Sequence, residues 1–230
     1  YVFRRSICDI PPNSLNKTFA TLKNEIRSDD YVNSIKAFFI MRDDYKEFPN
    51  DDKFTAAFVS KDIYTMRSRN FILSHLENYG NKAPIIIENY TIEHIMPQNS
   101  NLSPEWQKML GTNWRDVQKT YLHTIGNLTL TAYNSEMSDH PFMVKMDMEG
   151  GFKESALRLN AYVVKVTEWN EQRIKERARL LADKAKQIWA FPDMTVEELA
   201  PYQVEEKPAE RYNLETYDTN VFTKTLFDVL

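Results

Sequence analysis

Apolar residues recur every three or four positions along most of the first 80 residues, a spacing typical of amphipathic helices. In residues 14–28 the repeat is carried by four side chains: Leu15, Phe19, Leu22 and Ile26. Similar patterns predict helices over three further segments: 30–41, 51–59 and 61–79. The N-terminal third of the chain is therefore predicted to be helical.

The pattern changes after Gly80. Residues 85–95 (IIIENYTIEHI) are rich in β-branched and aromatic side chains, and residues 124–133 (TIGNLTLTAY) alternate apolar and polar positions. Both features favour strands. Residues 104–120, between them, have helical spacing. One short region thus combines two strands with a helical connection.

Helices are predicted again after the second strand. Pro141 is suited to the first turn of a short helix, with Ser138 or Asp139 as its cap. Residues 154–166 and 168–190 are predicted to form two further helices. The expected fold class is α+β and predominantly helical, with a small strand, strand, helix core embedded between N-terminal and C-terminal helices.

Composition excludes several classes of protein. Apolar residues make up 42% and charged residues 27% of the 230 positions, which is typical of a globular chain. The five glycines form neither of the Gly-rich phosphate-binding motifs of dinucleotide-binding and P-loop proteins. The single cysteine, Cys8, excludes a disulfide scaffold or a Cys-based zinc cluster within one chain. No apolar run reaches the length of a membrane span, and no signal peptide is recognisable.

Charge is distributed unevenly along the chain. The net charge is −4, but residues 193–230 hold nine acidic and three basic side chains, which leaves residues 1–192 at +2. Prolines, acids and weak apolar periodicity predict an acidic linker over residues 191–219. Residues 220–230 regain apolar character and are interpreted as the start of a further, truncated domain. Because the sequence begins at Tyr1 and not at a methionine, it is interpreted as a fragment of a longer protein.

The Glu93-His94 pair provides the first candidate for chemistry. A carboxylate can bind a hard cation, and an imidazole can accept a proton from water near neutral pH. The alternative for a lone pair of this kind is a histidine at a strand end that only satisfies a structural hydrogen bond.

Two asparagines follow on and after the second strand. Asparagine is unfavourable inside strands, so Asn127, next to Gly126, indicates a tight local geometry that its amide could brace. Asn134 stands between the strand and a helix. It could be an ordinary helix cap or could provide a carbonyl oxygen to a metal, and its position alone favours neither.

The combined pattern resembles the ββα-metal (HNH) nuclease core. The segments that carry the resemblance are 93–98 (EHIMPQ), 121–131 (YLHTIGNLTLT) and 133–136 (YNSE), with Phe142 and Lys145 beyond them. Over about residues 1–190 the chain is similar to the C-terminal HNH domain of GmrSD-type, modification-dependent (type IV) restriction enzymes and their phage-defence relatives. The 121–136 stretch is long and specific.

The resemblance implies a role for each site residue. His94 would be the general base, and Glu93 and Asn134 would ligate one divalent metal, Mg²⁺ or Mn²⁺. Asn127 would be the middle asparagine of the motif, which braces the loop more often than it touches metal. Lys145 would pair with the scissile phosphate or a neighbouring group, unless it is merely a solvated helix lysine.

The resemblance also implies the function and the partners. The expected function is a metal-dependent DNA endonuclease, acting in a restriction or phage-defence system in the cytoplasm on double-stranded DNA, including modified phage DNA. An upstream nucleotide-hydrolysing domain of the same protein is the expected partner. No association with a membrane is expected. The domain would comprise helical residues 1–84, the ββα core at about 85–150 and C-terminal helices in 151–190.

Two other interpretations remain open from the sequence. A degenerate HNH fold could hold DNA or bind another protein without cutting. An all-helical binding domain with an incidental Glu-His pair would place His94 and Asn134 far apart. His123 is expected to pack or hydrogen-bond near its strand. The basic face of residues 173–186 is expected to be solvated, with contact to the DNA backbone as the alternative.

Overall fold

The computed structural model describes residues 1–203, and the part before the sheet is helical as predicted. Its α-helices are α1 (Val2–Ile7), α2 (Leu15–Glu25), α3 (Tyr31–Ile40), α4 (Asp51–Ser60) and α5 (Arg69–Asn78). Helix α4 begins at an Asn50 cap, whose side chain accepts a hydrogen bond from the Lys53 amide at 2.9 Å.

Helix α5 is shorter than the predicted helix over 61–79. The amides of Ile63 and Tyr64 both donate to the carbonyl of His123, at 2.9 and 3.3 Å, and Asp62 pairs with Thr124 as an isolated bridge. These long-range contacts accompany a bridge and turns over residues 61–68 in place of the predicted helix. The segment is therefore tied to the loop that precedes the second strand.

Two short antiparallel strands form the sheet. Strand β1 is Thr91–His94 and strand β2 is Leu128–Thr131, with Glu93 opposite Thr129 and His94 opposite Leu128. Every residue of β2 is buried. Both strands are shorter than predicted, because residues 87–89 form a 3₁₀ turn and residues 124–127 form a turn that leads into β2.

Helices connect and follow the strands. The predicted helix over 104–120 is two helices, α6 (Pro104–Leu110) and α7 (Trp114–Tyr121). Gly111 separates them with a φ of +88°, a conformation that only glycine adopts readily. Helices α8 (Asn134–Met137) and α9 (Phe142–Asp147) come after β2. The observed order is therefore strand, two helices, strand and two short helices.

The helix predicted over 154–166 is absent. This segment forms 3₁₀ turns at Arg158–Asn160 and Val163–Lys165 instead. The carboxylate of Glu77 accepts hydrogen bonds from the amides of Arg158 and Leu159, at 2.9 and 2.8 Å. These contacts to α5 fix the backbone of the segment in a non-helical path.

The long C-terminal helix, in contrast, agrees with its periodic pattern. Helix α10 (Glu171–Ile188) begins at an Asn170 cap that accepts a hydrogen bond from the Arg173 amide at 3.1 Å. It packs against α4 and α5. Along it, Ile174 belongs to one apolar cluster while Ala178 and Leu181 belong to another. Helix α10 therefore joins the two halves of the core.

The two apolar clusters lie around the sheet. The first cluster combines α4, α5, β2 and α10 through Phe54, Leu76, Leu130 and Leu181. The second combines the connecting and following helices through Trp106, Phe142, Val163 and Trp169. Trp106 and Trp169 are fully buried, as a core role requires, and burial of a large apolar side chain contributes about 1.5–3 kcal/mol.

Residues 1–193 form one compact unit, and a second unit begins at Met194. Of the second unit, residues 194–203 are described. They contain the helix α11 (Val196–Leu199), whose Thr195 and Glu198 form a reciprocal capping box. The rest of the predicted linker, and the segment 220–230, lie outside the described residues. No helix within residues 1–203 is long and apolar enough to span a membrane.

Candidate active site

A polar cavity of about 250 Å³ lies beside the end of β1. Three of the five predicted site residues line it, namely Glu93, His94 and Asn134. Glu93 and His94 come from β1 and Asn134 opens α8, so the strand, strand, helix order brings them together. The all-helical interpretation, which required His94 and Asn134 to be far apart, is therefore not supported.

His94 is held by a second histidine. Its Nε2 atom lies 3.0 Å from Nδ1 of His123, and Tyr64 packs its ring edge-on against His94, with 4.6 Å between centroids. Burial lowers the pKa of His94 to about 3, with a further contribution from His123 and the Lys145 ammonium. The imidazole of His94 is therefore neutral at pH 7 and retains a lone pair for a proton.

Glu93 forms a buried ion pair with Lys145. The ammonium lies 2.5 Å from Oε1 of Glu93 and also donates to the carbonyl of His94 at 3.1 Å. Burial raises the pKa of Glu93, and the Lys145 charge opposes that shift. Burial likewise lowers the pKa of Lys145, against the attraction of Glu93.

This placement corrects the expectation for Lys145. Its side chain is fully buried, so the solvated-lysine alternative is wrong. Pairing with a scissile phosphate does not fit either, because the ammonium already contacts the Glu93 carboxylate and does not line the cavity. The neighbouring group that Lys145 contacts is the Glu93 carboxylate.

Asn127 lies behind the cavity and is fully buried. Its Oδ1 accepts from the Met96 amide at 2.8 Å and from Trp169 Nε1 at 3.1 Å. Its Nδ2 donates to the carbonyls of Met96 and Leu122, both at 3.0 Å. These four bonds join the segment after β1 to the turn before β2, so Asn127 braces the site and does not line the cavity.

Asn134 is exposed on the rim of the cavity. The cap position of α8 is Tyr133, which makes no side-chain cap bond. Asn134 is therefore not a helix cap, which was one of the two roles that the sequence allowed. No described residue hydrogen-bonds the Asn134 side-chain amide. Its carbonyl oxygen is therefore available to a ligand in the cavity.

Asp139 is a cavity residue that the sequence did not single out. It was expected to cap the helix at Pro141, but α9 has no side-chain cap. Instead Asp139 accepts a hydrogen bond from Asn99 Nδ2 at 2.9 Å, and this bond lowers its pKa. The only sequence feature that could have indicated Asp139 as a site residue is its position, a carboxylate in a loop five residues after Asn134.

Oxygen donors dominate the cavity, which suits a hard cation. Glu93, Asn134 and Asp139 all line it. Within residues 1–203 no group of three or more His, Cys, Asp or Glu side chains is close enough to form a metal site. Since Mg²⁺ usually takes one or two carboxylates and keeps several waters, the donors fit a partly hydrated divalent ion.

The basic face of α10 is largely neutralised. Arg173 pairs with Glu176 at 2.8 Å, and Lys175 pairs with Glu171 at 2.6 Å. Arg177 is buried, and it donates to the carbonyls of Ile125, Gly126 and Leu159 at 2.8–3.1 Å. Lys186 pairs with Asp183 at 3.0 Å, and Arg177 anchors the turn before β2. Arg179 is exposed and has no ion pair among the described residues, so most but not all of the charge on this face is compensated.

The fold and the cavity define a mostly helical α+β domain with a Glu-His pair at the end of a two-stranded antiparallel sheet. A sequence model of the family described as GmrSD restriction endonucleases, C-terminal domain, matches residues 48–184. The chain belongs to this family, which confirms the resemblance. The matched range contains all five predicted site residues. A comparison with curated proteins found no match to the chain.

Membership of this family connects the chain with a restriction-type nuclease role and with DNA as the substrate. It does not assign a role to any one residue. The roles assigned to the five site residues stay predictions. These residues are His94, Asn127, Lys145, Glu93 and Asn134.

Proposed function

We propose that the chain is a metal-dependent DNA endonuclease domain of the ββα-metal (HNH) type. One observation carries this proposal: a neutral histidine, a carboxylate and a free asparagine carbonyl line a single polar cavity of about 250 Å³. A histidine base with oxygen ligands for one cation is the minimal set for hydrolysis of a phosphodiester.

His94 is the proposed general base. Its Nδ1 atom has no hydrogen-bond partner among residues 1–203, so it is free to accept a proton from a water in the cavity. The O–H bond of that water breaks as the N–H bond forms. The water oxygen then attacks phosphorus, and the bond from phosphorus to the leaving oxygen breaks, with solvent supplying the proton that the leaving oxygen takes.

Glu93 and Asn134 are the proposed protein ligands of one Mg²⁺ or Mn²⁺ ion, and Asp139, which lines the same cavity, is the proposed holder of a ligating water. When bound, such an ion stabilises the negative charge that develops on the phosphate oxygens. Lys145 has a positioning role: its ammonium donates to Oε1 of Glu93 and fixes the orientation of the carboxylate.

The substrate in this proposal is double-stranded DNA, including modified phage DNA, met in the cytoplasm as part of a restriction or phage-defence system. Selectivity would come from an upstream nucleotide-hydrolysing domain. The alternative function is a degenerate fold that only holds DNA or a protein. Retention of Glu93, His94 and Asn134 around one cavity favours the nuclease, because a holding module has no need of them.

Plasmid nicking in Mg²⁺ or Mn²⁺ tests the proposal. The chain should nick the plasmid, EDTA should abolish nicking, and His94→Ala and Asn134→Ala should each reduce it by roughly 100-fold or more. His75→Ala is the matched control, since His75 is exposed on α5 and does not line the cavity. Asn134→Ala should also keep the wild-type melting temperature.

Two results would count against the proposal. Nicking that survives both EDTA and His94→Ala would come from a different centre or a contaminant. Metal-independent DNA binding without nicking, in the chain and in the full-length protein, would favour the holding module. Isothermal titration with Mn²⁺ adds a readout independent of cleavage, because Asn134→Ala should weaken binding of the ion.

A further inference from the structure

We propose that His123 is a positioning residue that fixes the tautomer and orientation of His94, and that Tyr64 holds the pair. The ring nitrogens of the two histidines lie 3.0 Å apart, a distance at which one must donate to the other. The use of the pair in cleavage rests on the function proposed above, while the tautomer itself can be measured without cleavage.

The geometry allows only one direction of donation for a working base. A neutral imidazole carries one N–H and one acceptor nitrogen. If His123 donated to Nε2 of His94, the His94 proton would occupy Nδ1, and Nδ1 could not take a second proton from water. If His94 donates from Nε2 to Nδ1 of His123, Nδ1 of His94 keeps its lone pair. The base therefore requires His123 as the acceptor.

His123 is itself held rigidly enough for this role. Its carbonyl accepts hydrogen bonds from the amides of Ile63 and Tyr64, which fixes its backbone. Its ring stacks on Tyr64, with 5.1 Å between centroids and 12° between planes. Arg69 donates to the Tyr64 carbonyl at 3.3 Å and lies over its ring.

This arrangement explains why residues 61–68 leave the helical path predicted for them. Tyr64 contacts both imidazoles, stacking on His123 and meeting His94 edge-on. Asp62 forms an isolated bridge with Thr124, and the Ile63 and Tyr64 amides donate to the His123 carbonyl. These contacts hold the segment against the turn before β2, so it acts as a bracket for the histidine pair.

The pair remains useful after proton transfer. Protonated His94 has an N–H at both nitrogens, and Nε2 still donates to the same lone pair of His123. The bond is then charge-assisted and stronger than in the neutral pair. At metal sites, loss of the partner that orients a ligating histidine through its second nitrogen typically costs about 10–100-fold in metal affinity or activity, and a loss of the same order is expected for an oriented base.

The test uses ¹⁵N-histidine-labelled chain without metal, together with the variants His123→Phe and His123→Asn. In the wild type, the ¹⁵N shifts should show His94 as the Nε2–H tautomer, and His94→Asn assigns its signals. His123→Asn keeps an acceptor oxygen near the Nδ1 position and should retain this tautomer. His123→Phe keeps a ring against Tyr64 but removes the acceptor, so the tautomer should become mixed.

Cleavage kinetics provide the second readout. His123→Phe should lower kcat by roughly 10–100-fold with KM unchanged within about twofold, and His123→Asn should recover most of kcat. His75→Phe is the control for the same substitution at an exposed histidine. A purely structural role for His123 would lower melting temperature in both variants and would not produce the split between Phe and Asn.

The outcomes separate this inference from the proposed function. An Nδ1–H tautomer in wild-type His94, or a His123→Phe variant with unchanged tautomer and unchanged kcat, would overturn the positioning role. The expected tautomer with no cleavage by the chain or the full-length protein would support the pairing and overturn the nuclease proposal.

Discussion

Replacement of Asn127 by alanine should cost more stability than any exposed substitution in the domain. The change removes four hydrogen bonds, to the Met96 amide and carbonyl, the Leu122 carbonyl and Trp169 Nε1. All four partners are left around a fully buried position. At about 1 kcal/mol per net bond, the loss reaches about 4 kcal/mol in the free energy of unfolding.

The assay is urea denaturation followed by tryptophan fluorescence and far-UV circular dichroism. For a domain of this size, about 4 kcal/mol corresponds to a fall of roughly 8–16 °C in melting temperature. Asn70→Ala is the matched control, because Asn70 is exposed on α5. It should change stability by less than about 0.5 kcal/mol.

Asn127→Asp separates the hydrogen-bond pattern from size. Aspartate keeps an acceptor for the Met96 amide and for Trp169, but it places a second oxygen against the carbonyls of Met96 and Leu122. It should destabilise the domain at least as much as alanine does. The bracing argument would be refuted if Asn127→Ala lowered the free energy of unfolding by less than about 1 kcal/mol, or if Asn127→Asp left it unchanged.

Three further predictions concern the residues around the cavity. Lys145→Met leaves the buried Glu93 carboxylate unpaired and should lower the free energy of unfolding by about 3–5 kcal/mol; a loss under about 1 kcal/mol in urea denaturation would contradict the ion pair. Gly126→Ala places a Cβ 2.4 Å from the Ile174 carbonyl oxygen, so it should cost about 1–3 kcal/mol, and an unchanged melting temperature would count against this close packing. Burial lowers the pKa of His94 to about 3 from 6.5, so its ring protons should not titrate by NMR between pH 5 and 8, and a midpoint near 6.5 would be inconsistent. The unfolded chain binds this proton more readily than the folded chain does. The contribution of His94 to the free energy of unfolding is therefore fully present above about pH 6.5 and is lost as pH falls toward about 3.

Local patterns predicted the elements whose stability is local. The apolar repeat of residues 168–190 and a side-chain cap gave α10, and the asparagine inside a strand-like segment indicated a braced turn, which Asn127 provides. The α+β class followed from the same patterns. These features depend on residues close to one another in the sequence.

The sequence could not show features that depend on distant partners. Residues 61–68 and 154–166 have helical spacing, but contacts with the loop around His123 and with Glu77 hold them in non-helical paths. Lys145 has the pattern of an exposed helix lysine, and only the fold brings it to Glu93. The His94–His123 contact likewise joins residues 29 positions apart, which no local motif encodes.

Long-range contacts also set the order in which the cavity is completed during synthesis. Arg177 holds the turn before β2 from 52 positions away, and Arg4 Nε donates to the carbonyl of Trp189, 185 positions away, at 2.6 Å. At about 5–20 residues per second, translation of residues 1–189 takes roughly 10–40 s. A nascent chain that ends before α10 contains Glu93 and His94 but lacks the Arg177 contacts that hold the turn before β2. The cavity would therefore be completed late, when nearly the whole domain has been translated and can fold.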